Sequence, residues 1–486
     1  MKVDKKFFVL LALVLIFQFS FFGMKYFAVA DDNNQIGTFN LRSDNIYENI
    51  IQRYKSYNVR PLAFFTEAYI FSWFADNMYA LLMIMVVMHI FNIFFMYKIC
   101  EKIGIKLNAL FLVTMAVAPF LIEALYWISA SDRIVFSLFL CLASIYLLLL
   151  SFEEENNAKK LIKFMSAIIL NLLCVGYYEQ TVAFNLFFFV FVLISLKKYK
   201  YIFIPVTSTA WIGAYYIYFM INGEMQSRGA LNLAGIFGNL LSSFKMTFTN
   251  LKLAVSNFIV SFKSGINEVT MHVATIFLLA LIIYFIYYIY KTKVVKNVNK
   301  GFWKKLLLGI TLFIAPILPF VILENNYIAM RNMYMPFIGI LIVVELLWDT
   351  ILARIGNSKI QNIIGTTAVG IVLMLSVVAN IDGVNNYKKV NDLDNKVTAQ
   401  MIKVLPPEAF KSDKSISLNY NADALVEYKN LSNFVESSLE AEWIMLGKLQ
   451  VVRKNVEVPK IYVNENSEIA DYAVYFDDEM NVVNIQ

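Results

Sequence analysis

The chain has 486 residues, of which 59% are apolar and only 16% are charged. This composition excludes an ordinary soluble globular protein and is typical of a chain that crosses a membrane several times. The net charge of +6 does not indicate nucleic-acid binding, because the lysines cluster in short connections between apolar runs, where membrane topology accounts for them. The cysteines Cys100, Cys141 and Cys174 form no CxxC pair and indicate neither a metal knot nor a disulfide framework.

The first apolar segment follows a basic N-terminus that contains Lys2, Lys5 and Lys6. It runs over residues 7 to about 29, which is too long for the apolar core of a signal peptide, so we expect an uncleaved first membrane helix. Because about 20 apolar residues cross the hydrocarbon core, the sequence predicts about eleven spans. They lie near residues 7–27, 78–97, 107–126, 133–151, 161–178, 181–196, 201–220, 272–290, 305–323, 334–352 and 362–381.

The basic residues of the short connections predict the orientation of these spans. With the N-terminus in the cytoplasm, every second connection carries several lysines or an arginine and a lysine, as the positive-inside rule requires of cytoplasmic loops. A count of about eleven spans then puts the C-terminus outside the cytoplasm. Two long loops, residues 31–77 and 221–268, lie on that outer side. We expect interfacial helices within them at 45–54, 61–74, 231–244 and 251–262.

After about residue 380 the apolar runs end and charged residues become frequent. We therefore expect residues 1–383 to form the membrane domain and residues 384–486 to form a small α/β domain outside the cytoplasm. The predicted fold is an all-α polytopic membrane protein with interfacial helices and this C-terminal extracytoplasmic domain. The domain's predicted helices lie near 391–404 and 433–447, and its strands near 415–420, 458–464 and 472–476.

A stretch between two predicted spans carries several ionisable and aromatic side chains. This stretch, PFLIEALYWISASDR at residues 119–133, holds Glu123, Trp127, Asp132 and Arg133 at one membrane face. Charged groups there cost free energy unless they face a cavity, a partner or water, so they are functional candidates. In the predicted topology the same face carries further ionisable residues, namely Asp31, Asp32, Arg60, Glu179, Glu324 and Arg331.

Each of these residues also has a purely structural interpretation. Asp31 and Asp32 could begin a solvated loop, and Arg331 could reach the lipid headgroups. Glu179 could bond to a neighbouring tyrosine. The aromatic side chains could belong to the belt at the membrane surface rather than stack on a sugar ring. These alternatives stay open at the level of the sequence.

Five short motifs occur in a characteristic order. They are NVRPL at residues 58–62, HIFN at 89–92, PFLIEALYWIS at 119–129, EQ at 179–180 and RNMYMPFIG at 331–339. They resemble, in turn, the motifs RPL, HxxN, HPxHTEAVAWIS, KEQG and RYLYLPSIG. These belong to the transmembrane O-mannosyltransferases that carry tetratricopeptide repeats, and to their bacterial relatives. The resemblance covers roughly residues 1–350.

The resemblance implies the GT-C glycosyltransferase fold. In that fold an acidic pair just after the first span carries the catalytic aspartate, and the sugar donor is a polyprenyl phosphate. Asp31 and Asp32 are that pair in this sequence. The chain departs from the family's motifs at Ala118, Tyr178 and Met330 and has no tetratricopeptide array. The resemblance therefore leaves the sugar and the acceptor open.

The expected reaction is direct, inverting transfer of a sugar to an acceptor hydroxyl, with Asp31 or Asp32 as the general base. Arg331 is the first candidate for the donor phosphate, followed by Arg60 and Arg133, because guanidinium groups match phosphate oxygens. The side chains expected to complete the donor site and to line the sugar and acceptor cavity are Tyr334, Glu123, Trp127, Asp132, Tyr178 and Glu179.

The acidic pair formed by Asp31 and Asp32 is also a candidate site for Mg²⁺ or Mn²⁺. The expected partners are the lipid-linked donor, a glycan or protein acceptor in the cell envelope, and the lipids of a bacterial plasma membrane. Other functions remain open at this stage. A polysaccharide polymerase or ligase would share most of these features, and a flippase of lipid-linked sugars or a non-catalytic scaffold would share the membrane architecture.

Overall fold

The computed structural model describes residues 3–40, 51, 59–222, 232, 234–270, 272–292, 301–324, 326–421, 425, 437–455, 457–464 and 470–486. Most of the described chain is α-helical, and one small sheet lies near the C-terminus. The interfacial helix predicted at 45–54 falls outside the described residues apart from Ile51, which is helical.

The helices are numbered here in chain order over the described residues. The first nine are α1 (Lys5–Phe19), α2 (Asp31–Asn40), α3 (Ala63–Phe74), α4 (Met78–Lys102), α5 (Ala109–Val117), α6 (Ile122–Leu125), α7 (Ile128–Phe152), α8 (Asn157–Cys174) and α9 (Glu179–Ser195). The others are α10 (Phe203–Ile221), α11 (Ile236–Thr270), α12 (Ala274–Thr292), α13 (Phe302–Ile314), α14 (Leu318–Ile322), α15 (Tyr334–Ala353), α16 (Ser358–Val404) and α17 (Glu442–Arg453). Short 3₁₀ turns lie at Ala75–Asn77, Pro119–Leu121, Tyr199–Tyr201, Ala315–Ile317, Met330–Met333 and Pro407–Phe410.

Asparagine and aspartate side chains determine where several helices begin. The side-chain oxygen of Asp4 accepts a backbone N–H bond of 3.1 Å at the start of α1. Asn77 and Asn108 accept equivalent bonds of 3.2 and 2.8 Å at α4 and α5. Asn156 and Asn357 cap α8 and α16 in the same way. These caps satisfy N–H groups that have no partner within the helix.

Within the described ranges, seven helical segments are long and apolar enough to cross a membrane, so the chain has the character of an integral membrane protein. They are Ala63–Lys102, Ile128–Phe152, Tyr199–Ile221, Ala274–Thr292, Phe302–Ile322, Met330–Ala353 and Ser358–Val404. The prediction of about eleven spans was therefore wrong. The four predicted spans that do not reach this length and apolarity are those at 7–27, 107–126, 161–178 and 181–196.

Each of these four segments falls short for its own physical reason. The helix in the first ends at Phe19, and Gly23 then takes a left-handed conformation with φ of +100°. The segment 107–126 breaks at Pro119, whose ring lacks the N–H that would continue α5. Helix α8 has 18 residues but carries lysines along its first two turns, and α9 has only 17 residues.

Helices α13 and α15 cross at a very short distance, and two glycines allow it. A Cβ atom added to Gly339 would overlap the backbone of Phe313 and Gly309 in the facing helix. A Cβ on Gly309 would lie 2.7 Å from Val343 Cγ2. Small residues at a crossing let helix backbones approach closely, which is the usual packing device of membrane helices. The RNMYMPFIG motif therefore ends on a packing residue.

Helix α11 replaces the two interfacial helices predicted at 231–244 and 251–262. It runs without a break over 35 residues and is not among the seven apolar helices. It packs on α16, where Gly265 lies against the backbone of Val378 and Asn385 Nδ2 donates a 2.9 Å bond to Glu268 Oε1. The helix thus runs alongside the part of α16 that leaves the helical bundle. The other predicted interfacial segment, at 61–74, is largely the helix α3.

The C-terminal region contains a sheet with strand order β2-β1-β3-β4. Strand β1 pairs in parallel with both β2 and β3, and β3 pairs antiparallel with β4. The strands are β1 (Ser415–Asn419), β2 (Lys460–Val463), β3 (Tyr472–Phe476) and β4 (Val482–Ile485). The first three match the predicted strands, whereas β4 was not predicted because its four residues are mostly exposed. The predicted helix at 391–404 is the end of the 47-residue helix α16.

Candidate functional site

The acidic pair begins helix α2, and its two members have different environments. Asp32 is fully buried, and both of its carboxylate oxygens accept hydrogen bonds. The backbone N–H and the hydroxyl of Ser129 donate to Oδ1 over 2.9 and 2.7 Å, and the Tyr26 hydroxyl donates to Oδ2. The Tyr26 oxygen also accepts a 3.1 Å bond from the backbone N–H of Ile128. Asp32 therefore joins the start of α2 to the start of α7.

Burial raises the pKa of Asp32 to about 7, because a low-dielectric environment disfavours the charged form. The hydrogen bonds from Ser129 and Tyr26 act in the opposite direction, since they stabilise the carboxylate. The neighbouring charge of Asp31 raises the pKa further. The protonation state of Asp32 thus changes near neutral pH.

Asp31 is only partly buried and lines a cavity of about 530 Å³. We call this space the central cavity. Its walls come from the start of α2, the chain just before α3, the start of α7, the start of α9 and the segment between α14 and α15. Seven of the residues predicted from the sequence line it: Asp31, Arg60, Trp127, Arg133, Tyr178, Glu179 and Arg331.

All three arginines in the central cavity pair with carboxylates, and Arg60 and Arg133 are the more buried two. Arg60 donates from Nε and Nη2 to the two oxygens of Glu179 over 2.8 and 2.6 Å, and its guanidinium lies 4.5 Å from the centre of the Tyr178 ring. Arg133 Nε donates a 2.5 Å bond to Glu67 Oε1. Both arginine side chains are 12% exposed. These two guanidinium groups are therefore oriented by the protein itself.

Arg331 has a more open environment than the other two arginines. Its Nη1 donates a 2.5 Å bond to Glu123 Oε1, and its guanidinium lies 4.9 Å from the centre of the Trp127 ring. The Arg331 side chain is 32% exposed, whereas the side chain of Glu123 is almost fully buried. This arginine lines both the central cavity and a second cavity of about 500 Å³.

The second cavity adjoins the central one at Trp127, Tyr327 and Arg331, which line both. Glu123 lies on its wall, and helix α11 contributes Lys245. Its remaining walls combine apolar side chains, among them Val29, Met246, Leu253 and Ile328, with the polar residues Ser242, Thr249 and Asn250. A cationic end and apolar side chains thus occur in one space.

Three predicted site residues, Asp32, Asp132 and Tyr334, line neither of these cavities. The buried carboxylate of Asp132 has no hydrogen-bond partner among the described residues, and its Oδ1 lies 4.0 Å from Arg133 Nε. The Tyr334 hydroxyl is 2.6 Å from His89 Nδ1 and accepts a 3.4 Å bond from Asn92 Nδ2. Tyr334 therefore belongs to a buried polar cluster between α4 and α15.

Several residues at the site were not found from the sequence. Tyr26 and Glu67 had no spacing signal, although Glu67 is the one carboxylate within the apolar helix α3. Ser129 belongs to the WIS motif and could have been found there. The most unexpected contributions come from the C-terminal region, because Glu440, Ala441 and Trp443 also line the central cavity.

The acidic pair does not fit a metal site. Both oxygens of Asp32 already accept hydrogen bonds from Tyr26 and Ser129. Across the described ranges, no group of three or more His, Cys, Asp or Glu side chains is arranged to hold a metal ion. We therefore assign no chemical step to Mg²⁺ or Mn²⁺ at this position.

The central cavity combines a half-buried carboxylate, three guanidinium groups and aromatic rings at one end of a helical bundle. Carboxylates and guanidinium groups of this kind can accept a proton and bind a phosphate. Comparison of the sequence with protein-family models and with curated proteins finds no match.

Proposed function

We propose that this protein is a membrane glycosyltransferase that moves a sugar from a polyprenyl-phosphate donor to an acceptor hydroxyl in the cell envelope. The observation that supports this proposal most directly is the shared lining of the central cavity. Asp31 and Arg331 line one space, and a second cavity with both apolar and polar walls adjoins it at Trp127, Tyr327 and Arg331. A lipid-linked sugar phosphate needs a base, a cation and an apolar path close together.

Asp31 is the proposed general base. It lines the central cavity, whereas the oxygens of Asp32 are occupied by Tyr26 and Ser129. In the proposed step the acceptor oxygen attacks the anomeric carbon from the face opposite the phosphate. The bond between that carbon and the phosphate oxygen breaks, the phosphate leaves with the electron pair, and Asp31 takes the proton of the acceptor hydroxyl. The configuration of the anomeric carbon is inverted.

Arg331 is the proposed partner of the leaving phosphate. It is more exposed than Arg60 and Arg133 and lies where the two cavities meet. Glu123 and the Trp127 ring hold its guanidinium in place before the donor binds. A cation oriented in advance stabilises the charge that develops on the phosphate without reorganising at that moment. Arg60 and Arg133 contribute positive potential at the wall of the cavity.

The proposal includes an orientation for the protein. The N-terminus would lie in the cytoplasm of a bacterial cell, and the central cavity and the C-terminal region would face outside, where polyprenyl-phosphate sugars meet envelope acceptors. This orientation is the one given by the lysine-rich connections in the eleven-span count, and the seven long apolar helices do not determine it. Labelling of single introduced cysteines near α2 and near Trp127 from each side of intact cells tests it, and labelling of the two sites from opposite sides would contradict it.

The activity can be tested with purified protein in lipid nanodiscs and a panel of polyprenyl-phosphate hexoses. We expect release of polyprenyl phosphate together with a glycosylated acceptor for at least one donor. Asp31→Asn should lower the transfer rate by roughly 100-fold or more, which is typical of a lost general base. The matched control is Asp76→Asn, which changes an exposed aspartate outside both cavities.

Two outcomes would count against the proposal. Full activity of Asp31→Asn would reject the assignment of the base. Transbilayer movement of the intact lipid-linked sugar without any sugar transfer would favour a flippase.

A further inference from the structure

The C-terminal region forms part of the wall of the central cavity. Glu440, Ala441 and Trp443 line it together with Asp31 and Arg331. They lie in the segment that leads into helix α17 and in its first turn. The site is therefore built from residues between Asp31 and Asn332 together with residues of the C-terminal region.

The segment before α17 is held by hydrogen bonds from two sides. Asp394, on α16, accepts a 2.7 Å bond from the Ser437 hydroxyl and a 3.0 Å bond from the backbone N–H of Ser438. The Tyr420 hydroxyl, just after β1, donates a 2.6 Å bond to the carbonyl oxygen of Leu439. These bonds fix the position of the cavity-lining residues relative to both the long helix and the sheet.

Helix α17 itself packs against α2, the helix that carries the acidic pair. Gly447 allows the close approach, because a Cβ atom there would lie 2.6 Å from the backbone N and Cα of Asn34. On the same helix, Ile444 is buried in the core of the membrane region, whereas Met445 and Leu449 are buried in the core of the C-terminal region. One helix thus belongs to both cores, which makes the wall rigid.

The side chains that this segment places at the cavity have a distinct chemistry. Trp443 is 41% exposed despite its large apolar ring. Glu440 adds a carboxylate. None of the three residues that this segment contributes to the cavity is a cation. An aromatic ring beside a hydrogen-bond acceptor can bind an uncharged ligand ring. The apolar face of the ligand would stack on the aromatic ring, and a hydroxyl group at its edge would donate to the acceptor. A polyanion would meet like charge at Glu440.

We propose that Trp443 and Glu440 form the acceptor subsite of the central cavity, and that the acceptor is a neutral carbohydrate whose terminal ring stacks on Trp443. This inference rests on the proposed function, since it assigns the second substrate of that reaction. It puts the specificity for the acceptor in the C-terminal region and the chemistry of the donor in the membrane region.

The subsite can be tested by binding, without any turnover. Full-length protein in nanodiscs is titrated with mannotriose, maltotriose, galactotriose and chitotriose, and separately with a glycerol-phosphate oligomer and a serine-rich peptide. We expect at least one neutral trisaccharide to bind. Trp443→Ala should weaken this binding about tenfold, the effect expected of one lost aromatic contact, whereas Trp443→Phe should keep most of it. The matched control is Val452→Ala, which changes an exposed residue of the same helix.

Three results would overturn the inference. They are unchanged trisaccharide binding in Trp443→Ala, binding of the anionic oligomer or the peptide in place of every trisaccharide, and absence of binding by all probes.

Kinetic measurements distinguish a failure of this inference from a failure of the proposed function. Trp443→Ala should raise the KM for the acceptor while the rate of donor hydrolysis by water stays close to that of the unmodified protein. Trisaccharide binding that depends on Trp443, in a protein that turns over no donor, would refute the proposed function and leave the carbohydrate subsite standing.

Discussion

Arg60 and Glu179 form a bidentate ion pair, with Nε–Oε2 and Nη2–Oε1 distances of 2.8 and 2.6 Å. The pair joins the chain before α3 to the start of α9. Both side chains are 12% exposed, so removing one partner leaves a charge in a poorly solvated place. We expect Arg60→Gln or Glu179→Gln to lower the free energy of unfolding by about 3–5 kcal/mol, measured as a loss of thermal stability in detergent.

The double variant Arg60→Gln/Glu179→Gln should recover much of that loss, because it leaves no unpaired charge. The matched control is the ion pair of Lys414 with Asp471, which is 3.1 Å long and more than one third exposed on both sides. Lys414→Gln should leave the thermal stability almost unchanged, because solvent screens exposed ion pairs. Equal effects at the buried and the exposed pair would contradict this account of Arg60.

Gly447 is expected to be essential for the contact between α17 and α2. In Gly447→Ala the new methyl group must displace the backbone at Asn34, and overpacking of this kind costs about 1–3 kcal/mol. We expect the C-terminal region of this variant to become more sensitive to protease, which gel electrophoresis can measure. Gly238→Ala is the control, because a Cβ there meets nothing within 4 Å, and it should leave protease resistance unchanged.

The sequence predicted those parts of the fold that depend on local patterns. Strands β1 to β3 were found because their apolar residues alternate and polar turns flank them. The predicted span at 107–126 was wrong because a count of apolar residues does not register that Pro119 ends α5. The single long helix α11 was not foreseen either, since its apolar stripe is interrupted by lysines that a hydropathy scan treats as breaks.

The sequence predicted most residues of the candidate site but not which of their side chains contact each other. The predicted topology put these residues near one face, and seven of them line the central cavity. The pairing of Arg331 with Glu123 joins residues 208 positions apart and depends on how the helices pack. The position of Trp443 at the cavity had no signal in the sequence, because an aromatic residue outside the apolar segments is usually part of a core.

The crossing of α13 and α15 gives a third prediction. Gly339→Ala adds a methyl group between two backbones that have no room for it, so we expect the variant to lose about 1–3 kcal/mol of stability or more. The melting temperature in detergent measures this loss. Gly213→Ala, in α10, is the control, since no atom lies within 4 Å of the added carbon. A melting temperature of Gly339→Ala equal to that of the control would show that the crossing tolerates a larger separation.

The raised pKa of Asp32 predicts how stability depends on pH. In the unfolded chain this carboxyl ionises near its ordinary pKa of 3.8, whereas burial in the folded protein raises the pKa to about 7. Between these values the folded state binds one more proton than the unfolded state, so the free energy of unfolding falls as the pH rises towards 7 and then stays level. Asp32→Asn removes this component, because its side chain is neutral in both states.

The test compares the melting temperatures of the two proteins at about pH 5 and about pH 8. Asparagine suits the site, since its oxygen can accept from Ser129 and its amide group can donate to the Tyr26 oxygen. We expect the unmodified protein to lose more stability than Asp32→Asn between the two conditions. Asp471→Asn is the control, because a hydrogen bond from Ser415 lowers the pKa of Asp471 and confines its effect to more acidic solutions. Equal losses of stability in the unmodified protein and in Asp32→Asn would mean that Asp32 is already ionised at pH 5. The hydrogen bonds to its carboxylate would then outweigh the effect of burial on its pKa.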